Sequence, residues 1–286
     1  MSGWWYHTAM TVQITKADGT SESFKTEKLR RSLRRSGAGR REIQYVIDKI
    51  TDELQDGMTT QEIYHRAFSY LHNHELPAAA RYSLRRALFR LGPTGFPFET
   101  FLARLFEAEG YTTRTNMILQ GRCATHEVDV GAHKNDHSFI AEAKFHSRPG
   151  IKSDLQVALY SYARLLDLKD MQFSETNELG IKEFCLVTNT KFTSSAISYG
   201  ECVGLTMLSW NYPRRNNLHD RIQRAGIYPV TVLQSLSQKQ SQVLIDHGAV
   251  LCRDLVNQSS VLRHLHVSEK HERSIRDEAR ALCRMN

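Results

Sequence analysis

Cysteine is scarce in this sequence, and its five copies are widely spaced without any C-x-x-C pair. That spacing argues against a disulfide framework and a zinc knuckle, so we expect reduced thiols. No stretch approaches the roughly eighteen consecutive apolar residues that a membrane-spanning helix needs. The first residues also lack the basic segment and apolar run of a secretory signal. We therefore expect a cytoplasmic protein without a membrane partner.

Internal repeats and low-complexity tracts are also absent, and the composition, 41% hydrophobic and 24% charged, is typical of a globular protein. The 38 lysines and arginines outnumber the 31 acidic residues and give a net charge of +7. This balance favours a polyanionic partner without selecting one, because many basic proteins never bind nucleic acid. A length of 286 residues predicts two domains and a small third.

Helix breakers concentrate between Gly92 and Pro97 and mark a domain boundary. Ahead of it, an Asp18-Gly19 turn predicts a β-hairpin, and helical patterns follow. Beyond it, strands alternate with helices, which is typical of a mixed sheet flanked by helices. From Pro213 onward the pattern is polar and helical. We therefore predict an α/β (α+β) protein with domains at residues 1–92, 97–211 and 212–286, the last a small helical module.

A second predicted hairpin carries the candidate chemistry. Its two-residue turn, Asn135-Asp136, sets the register of both strands. Asp129 then lies opposite Glu142, and Glu127 lies opposite Lys144, all on one face. Two like charges about 5 Å apart are destabilising unless a cation lies between them, and Mg²⁺ accepts such oxygen ligands. From spacing alone, an exposed polar face with an ordinary Glu127–Lys144 ion pair fits equally well.

Several motifs, in a fixed order, are similar to those of the Mrr-like restriction endonucleases, a family of the PD-(D/E)xK class. The segments that match its first helix, acidic strand and E-x-K strand are Phe98–Tyr111, His126–Ala132 and Glu142–Lys144. The similarity continues through Gln156–Tyr160 and Val187–Thr193 and covers about residues 97–211. This combination is more specific than any single motif, and it implies a phosphodiesterase core.

The resemblance also implies a role for each residue of the hairpin site. Asp129, Glu142 and Ala143 are the predicted ligands of a Mg²⁺ or Mn²⁺ ion. Lys144 assists the attacking water, and Glu99 completes the site from the first helix.

Two alternatives stay open within this site. Gln156 and Tyr160 lie one helical turn apart, where they are placed to position DNA, but Gln156 also fits a helix-starting capping box with Ser153. Glu127 faces the same way as Asp129 and competes with it for the metal. The V-D-V context around Asp129, like that of the family, favours Asp129.

The segment from residue 11 to about 92 resembles the ATP-cone, a regulatory domain that encloses an adenine nucleotide. The similarity lies in Val12–Gly19, Glu22–Leu29, Thr59–Ile63 and the helix that contains Arg81, Tyr82 and Arg85. It implies that ATP or dATP binds at Ile14, Lys16, Glu22, Lys28, Thr60 and Ile63. Thr60 is also the predicted cap of the third helix.

One departure from the cone pattern is Ala17, which stands where the family often has a second basic residue. Nucleotide affinity or phosphate preference is therefore expected to differ, and a cone that has kept its fold but lost its ligand is an alternative. A glycine-rich P-loop is absent from this segment, so a bound nucleotide is expected to act as a switch without being hydrolysed.

Together these patterns predict an adenine-nucleotide-regulated, Mg²⁺-dependent DNA endonuclease that works as a homo-oligomer. Its assignment to restriction or anti-phage defence comes from the resemblance alone. The alternatives are a catalytically silent, nucleotide-responsive DNA-binding regulator and an RNA nuclease.

Overall fold

The structure, a computed structural model, describes residues 12–16, 18–135, 137–172 and 180–283. The chain divides into two compact units, the first ending at Ser83 and the second beginning at Leu84. The predicted α+β class is confirmed, because a hairpin with helices is followed by a mixed sheet and further helices. Among the described residues, no helix combines the length and apolar character that crossing a membrane requires.

The first unit is a β-hairpin packed on helices. The hairpin pairs Ile14 with Glu22 in antiparallel register, and Gly19 in its turn has a φ of 81°, which glycine adopts without strain. The core forms because Leu33, Val46 and Leu71 lie on the inner faces of three successive helices. The elements are β1 (Gln13–Thr15), β2 (Ser21–Ser23), α1 (Thr26–Arg35), α2 (Arg40–Asp52) and α3 (Thr60–His74), and α4 (Leu76–Phe89) begins in this unit.

The start of α3 corrects the predicted cap by one residue. Thr59, not Thr60, caps the helix: its hydroxyl accepts the N–H of Glu62 at 3.1 Å, and the Glu62 carboxylate accepts the N–H of Thr59 at 2.8 Å. The sequence places two threonines side by side, and only Thr59 has the extended backbone that a capping residue needs. Thr60 is therefore the first residue inside the helix.

The second unit contains a five-stranded mixed sheet in the order β3-β4-β5-β7-β9. Strands β3, β4 and β5 form an antiparallel meander, whereas β5, β7 and β9 run parallel, so the last three end at one edge of the sheet. A separate pair, β6 and β8, is also parallel. The strands are β3 (Thr112–Gln120), β4 (Thr125–Lys134), β5 (His137–Lys144), β6 (Lys152–Ser153), β7 (Glu183–Thr188), β8 (Lys191–Phe192) and β9 (Thr206–Leu208).

The predicted register of the β4–β5 hairpin is confirmed along the paired stretch, from Lys134 opposite His137 to Val130 opposite Ala141. Asn135 in the turn has a φ of 52°, a left-handed conformation that asparagine tolerates. The other predicted turn residue, Asp136, lies outside the described residues. The register brings Asp129 and Glu142 to the positions just beyond the last pair.

Helices cover the sheet and complete the chain. Those nearest the sheet are α5 (Phe96–Ala108), α6 (Leu155–Leu168) and α7 (Ser194–Val203). The predicted C-terminal helices are present as α8 (Leu218–Ala225), α9 (Gln238–Asp246), α10 (Cys252–Asn257) and α11 (Glu269–Cys283). Buried Glu278 of α11 accepts the N–H groups of Gln234 and Ser235 at 2.8 and 2.9 Å, which ties α11 to the segment before α9.

Candidate functional site

The carboxylate of Asp129 closes the end of the β4–β5 ladder. Its Oδ2 accepts the backbone N–H of Ala143 at 2.7 Å, and no β4–β5 pair is formed beyond Val130 and Ala141. The predicted opposition of Glu127 and Lys144 is therefore wrong: Glu127 is paired with Ile118 of β3, and Lys144 makes its ion pair with Glu142. Strand β4 leaves β5 at this point but keeps its pairing with β3.

Glu142 is buried, and both of its carboxylate oxygens meet cations. The Lys144 Nζ lies 2.6 Å from Oε1, and the Arg164 guanidinium contacts Oε2. Arg164 comes from α6, and its guanidinium carbon lies 5.3 Å from the centroid of the Tyr160 ring. Burial of a carboxylate is costly without such partners, so these two cations offset the burial of Glu142.

Arg164 was missed by the sequence analysis, although a signal was present. It follows Gln156 and Tyr160 at intervals of four residues and so shares their face of α6. A cation on the face already expected to meet DNA was a reasonable candidate.

Glu99 on α5 belongs to the same electrostatic environment. Burial raises its pKa to about 7, and the negative charges of Asp129, Glu127 and Glu142 act in the same direction. Burial also raises the pKa of Asp129 to about 6, helped by the charge of Glu142. The structure therefore brings together four of the predicted site residues, Glu99, Asp129, Glu142 and Lys144. Their catalytic roles stay predictions.

The acidic residues do not form a multi-ligand metal cage. Within the described ranges, no group of three or more histidine, cysteine, aspartate or glutamate side chains is arranged to hold a metal ion. Ala143, a predicted ligand, directs its N–H toward Asp129. A metal here would rest on Asp129 and Glu142, with other oxygen atoms completing its shell.

Gln156 and Tyr160 are exposed on the first turns of α6. The alternative capping box of Ser153 and Gln156 is wrong, because Asp154 caps the helix by accepting the N–H of Val157 at 3.2 Å. Ser153 is instead held in β6, and its hydroxyl lies 3.2 Å from the Nε2 of His146. The cap lies one residue further along, because the hydroxyl of Ser153 is directed at His146 and the carboxylate of Asp154 accepts the helix N–H instead.

The edge where the parallel strands end carries both buried polar groups and exposed cations. Asn189, after β7, accepts the N–H of His146 at 2.9 Å and donates to its carbonyl at 2.8 Å, which fixes the chain just beyond β5. Nearby, Lys152 of β6 and Lys191 of β8 are register partners, and both are exposed.

The predicted nucleotide residues gather around the hairpin of the first unit. Glu22 lies between two lysines, 3.1 Å from the Lys16 Nζ and 2.8 Å from the Lys28 Nζ. These contacts, first Lys28 and then Lys16, lower the pKa of Glu22. The proposed phosphate-binding cations therefore pair with Glu22.

The hairpin also meets the start of α3, where two further predicted residues lie. Thr15 and Thr59 form a bridge, and the N–H of Thr15 donates to the carbonyl of Met58 at 3.0 Å. Thr60 follows this bridge directly. Ile14 and Ile63 are buried in the core of the unit. Ala17, the departure from the cone pattern, lies outside the described residues.

Comparison with known proteins identifies both ends of the chain. Residues 12–89 match the ATP cone domain, and residues 228–283 match the domain described as AF1548-like, C-terminal. The ATP-cone identified from the sequence is therefore confirmed, and with it a domain of the type that binds nucleotide effectors such as ATP and dATP. The comparisons do not support the Mrr-like resemblance, which stays a prediction.

A protein sequence and a solved structure each match about two thirds of this chain. An uncharacterized protein of Archaeoglobus fulgidus is 34% identical over 180 residues, which is 63% of this chain and 98% of the relative. The crystal structure of the protein of unknown function AF1548 superposes with a TM-score of 0.54 at 33% identity, over 66% of this chain and 98% of that one. Neither name states an activity.

Proposed function

This chain belongs to the family of AF1548-like proteins, and we propose that its second unit is a metal-dependent nuclease that cuts DNA. One observation carries the proposal: Asp129, Glu142 and Lys144 meet at the open end of one hairpin, with Glu99 of α5 beside them. Two carboxylates and a lysine at such a position are the groups that hydrolysis of a phosphodiester requires.

The donor set fits a hard divalent ion. Mg²⁺ is usually bound by one or two carboxylates and completes its shell with water and substrate phosphate, so Asp129 and Glu142 are sufficient as protein side-chain ligands. The backbone of Ala143 lies between them and can add a carbonyl oxygen. When bound, Mg²⁺ or Mn²⁺ would neutralise the phosphate and lower the pKa of the attacking water.

The side chains have separate tasks in this proposal. Lys144 stabilises the negative charge that develops on the phosphate, because its ammonium lies beside the metal-binding carboxylate. Glu99 has a pKa of about 7, close to the value that suits a general base at neutral pH. It is therefore the candidate to take the proton of the attacking water.

Nucleic acid is the proposed substrate because cations and polar groups border the site. Lys152 and Lys191 lie side by side on β6 and β8, which follow the ends of the strands that carry and flank Lys144. Gln156 and Tyr160 are exposed on α6, where an aromatic ring and an amide can contact a nucleotide strand. The choice of DNA over RNA, and the role in restriction or defence, rest on the Mrr-like resemblance.

Regulation is proposed to come from ATP or dATP at the cone. The nucleotide phosphates would replace Glu22 as the partner of Lys16 and Lys28, and the base would lie against Ile14, Thr60 and Ile63. Binding would shift the equilibrium between assemblies of a homo-oligomer, and nuclease activity with it.

A second candidate is a catalytically silent, nucleotide-responsive DNA-binding regulator. It is favoured by the pairing of both Glu142 oxygens with cations, which leaves neither oxygen without a partner.

One assay separates these functions. Purified full-length protein is incubated with plasmid, single-stranded DNA and RNA, with Mg²⁺ or a chelator, and with or without ATP and dATP. The nuclease proposal expects metal-dependent cleavage of DNA, and the nucleotide is expected to change its rate. Cleavage of RNA alone would replace the substrate, whereas binding of DNA without any cleavage would favour the silent regulator.

A further inference from the structure

Arg164 is a charged residue of this site that has no role in the proposed chemistry. It is 6% exposed and directs its guanidinium at Glu142, the carboxylate that Lys144 also contacts. Its Nε is buried and has no hydrogen-bond partner within the described part of the chain. Buried polar atoms are normally hydrogen-bonded, so Arg164 has unused donor capacity directly beside a candidate metal ligand.

The charge cluster of Asp129, Glu142, Lys144 and Arg164, defined without Glu99, is formally neutral while no ligand is bound. Asp129 and Glu142 carry two negative charges, and Lys144 and Arg164 carry two positive ones. A divalent cation that takes the oxygens of Glu142 must displace at least one of these partners, and it leaves the cluster with excess positive charge. Removing a partner from a buried ion pair is costly unless the released group finds another partner.

A phosphodiester supplies that new partner. It carries one negative charge, and its two free oxygens match the planar fork of an arginine, whereas a lysine offers only a point charge. The unpaired Nε of Arg164 is one of the donors in that fork. The phosphate offsets half of the positive charge that the metal adds, and it gives the released guanidinium of Arg164 a new partner.

We propose that Arg164 is a positioning residue that couples metal binding to phosphate binding: it holds Glu142 until a substrate phosphate takes its guanidinium, and the metal then takes Glu142. This inference rests on the proposed nuclease function and adds its regulation by the substrate. The metal binds weakly to the free protein and tightly to the DNA complex. Because coupling is reciprocal, the metal strengthens DNA binding by the same factor, typically about 5- to 150-fold.

Calorimetric Ca²⁺ titrations of the full-length protein, with and without a short DNA duplex, test the coupling, since Ca²⁺ also takes oxygen ligands. The variants are Arg164→Gln, which removes the charge, and Arg164→Lys, which keeps the charge without the fork. Arg221→Gln is the matched control, because Arg221 also forms a largely buried ion pair, with Glu109 after the C-terminal end of α5. DNA affinity with and without Ca²⁺ supplies the reciprocal measurement.

The parent and Arg221→Gln are expected to bind Ca²⁺ roughly 5- to 150-fold more tightly with DNA than without it. Arg164→Gln is expected to bind Ca²⁺ more tightly than the parent in the absence of DNA. The ratio of its Ca²⁺ affinities with and without DNA should approach one. Arg164→Lys should keep the parent affinity without DNA and lose much of the ratio. The coupling is overturned if Arg164→Gln retains the parent ratio, or weakens Ca²⁺ binding equally in both states. Absence of Ca²⁺ binding by the parent, with or without DNA, overturns the metal site and hence the proposed function itself.

Discussion

Two carboxylates of this protein are each held between two cations, one in each unit, and they differ in burial. Glu22 lies between Lys16 and Lys28 on an exposed hairpin, whereas Glu142 lies between Lys144 and Arg164 in the interior. Exposed ion pairs are screened by water and exchange partners readily, but a buried charge depends on its partner. The exposed arrangement around Glu22 is therefore suited to reversible effector binding. The buried arrangement around Glu142 is suited to a reaction that begins only after the substrate has bound.

The largest expected effect is on the rate of DNA cleavage. It compares Lys144, beside the buried carboxylate of Glu142, with Lys134, which lies at the other end of the same hairpin. Lys144→Ala should reduce DNA cleavage by roughly 100-fold or more, because it removes charge stabilisation from the transition state. Lys134→Ala, at the turn end of β4, should leave the rate nearly unchanged. Single-turnover cleavage of plasmid by both purified variants measures this, and equal rates for the two would remove Lys144 from the mechanism.

A second experiment removes one cation from each carboxylate, Arg164 from Glu142 and Lys28 from Glu22, and compares the loss of folding stability. Arg164→Met should lower the free energy of unfolding by about 3 to 5 kcal/mol, because it leaves buried Glu142 with a single partner. Lys28→Met should have little effect, since Glu22 keeps Lys16 and water. Denaturant unfolding of both variants gives the two values. The double variant Glu142→Gln, Arg164→Met should recover much of the loss, and a failure to recover would mean that Arg164 stabilises by packing instead.

The pH dependence of stability should also differ between the two carboxylate groups. The folded-state pKa values of Asp129 and Glu99 are raised to about 6 and 7, so their contribution is present below about pH 4 and is lost as the pH rises through 6 and 7. The pKa of Glu22 is lowered, so its contribution is lost only as the solution becomes acidic. The metal-free protein should therefore lose stability as the pH rises from about 4 to about 7.

Denaturant unfolding of the parent and of Asp129→Asn across this pH range isolates the contribution of the Asp129 carboxylate to stability. The variant should lose less stability over the interval, by on the order of 1 to 3 kcal/mol. Added Mg²⁺ should stabilise the parent more at pH 8 than at pH 5, because it binds the ionised carboxylates. Identical pH profiles of parent and variant would contradict the raised pKa of Asp129.

The smallest expected effect concerns the exposed arrangement. ATP or dATP should bind at Lys16 and Lys28 and change cleavage by roughly 5- to 150-fold through a change in assembly. Titration with both nucleotides, combined with light scattering and the cleavage assay, measures binding, size and activity on the same sample. The double variant Lys16→Ala, Lys28→Ala should lose the response and keep basal cleavage. If the parent binds neither nucleotide at millimolar concentration, this cone has lost its ligand.

The part of the buried site that lies within one hairpin was predictable from the sequence. The turn at Asn135 and the alternation along β4 and β5 set the register, so Asp129 and Glu142 could be placed near each other. The same register failed at Glu127, because the pairing of β4 with β5 ends at Val130, whereas its pairing with β3 continues. A register read from a turn holds only as far as the two strands stay paired.

The remaining parts depend on features that local patterns do not encode. Strand β3 was not predicted, since Thr112–Gln120 is a largely exposed edge strand without regular apolar alternation. Arg164 lies 22 residues after Glu142 in the sequence and enters the site from a helix, so only tertiary packing brings the two together. In the first unit, Lys16, Glu22 and Lys28 were each identified from the cone resemblance, but their mutual pairing was not.

The most direct test of the central claim, that Asp129 and Glu142 hold a catalytic metal ion, is a calorimetric Ca²⁺ titration in the presence of a short DNA duplex. Asp129→Asn is compared with Glu127→Gln, a neighbour on the same strand whose side chain is exposed and lies beyond the β4–β5 pairing. The account predicts that Asp129→Asn weakens metal binding strongly, whereas Glu127→Gln stays close to the parent. Equal losses, a larger loss for Glu127→Gln, or no binding by the parent would contradict it.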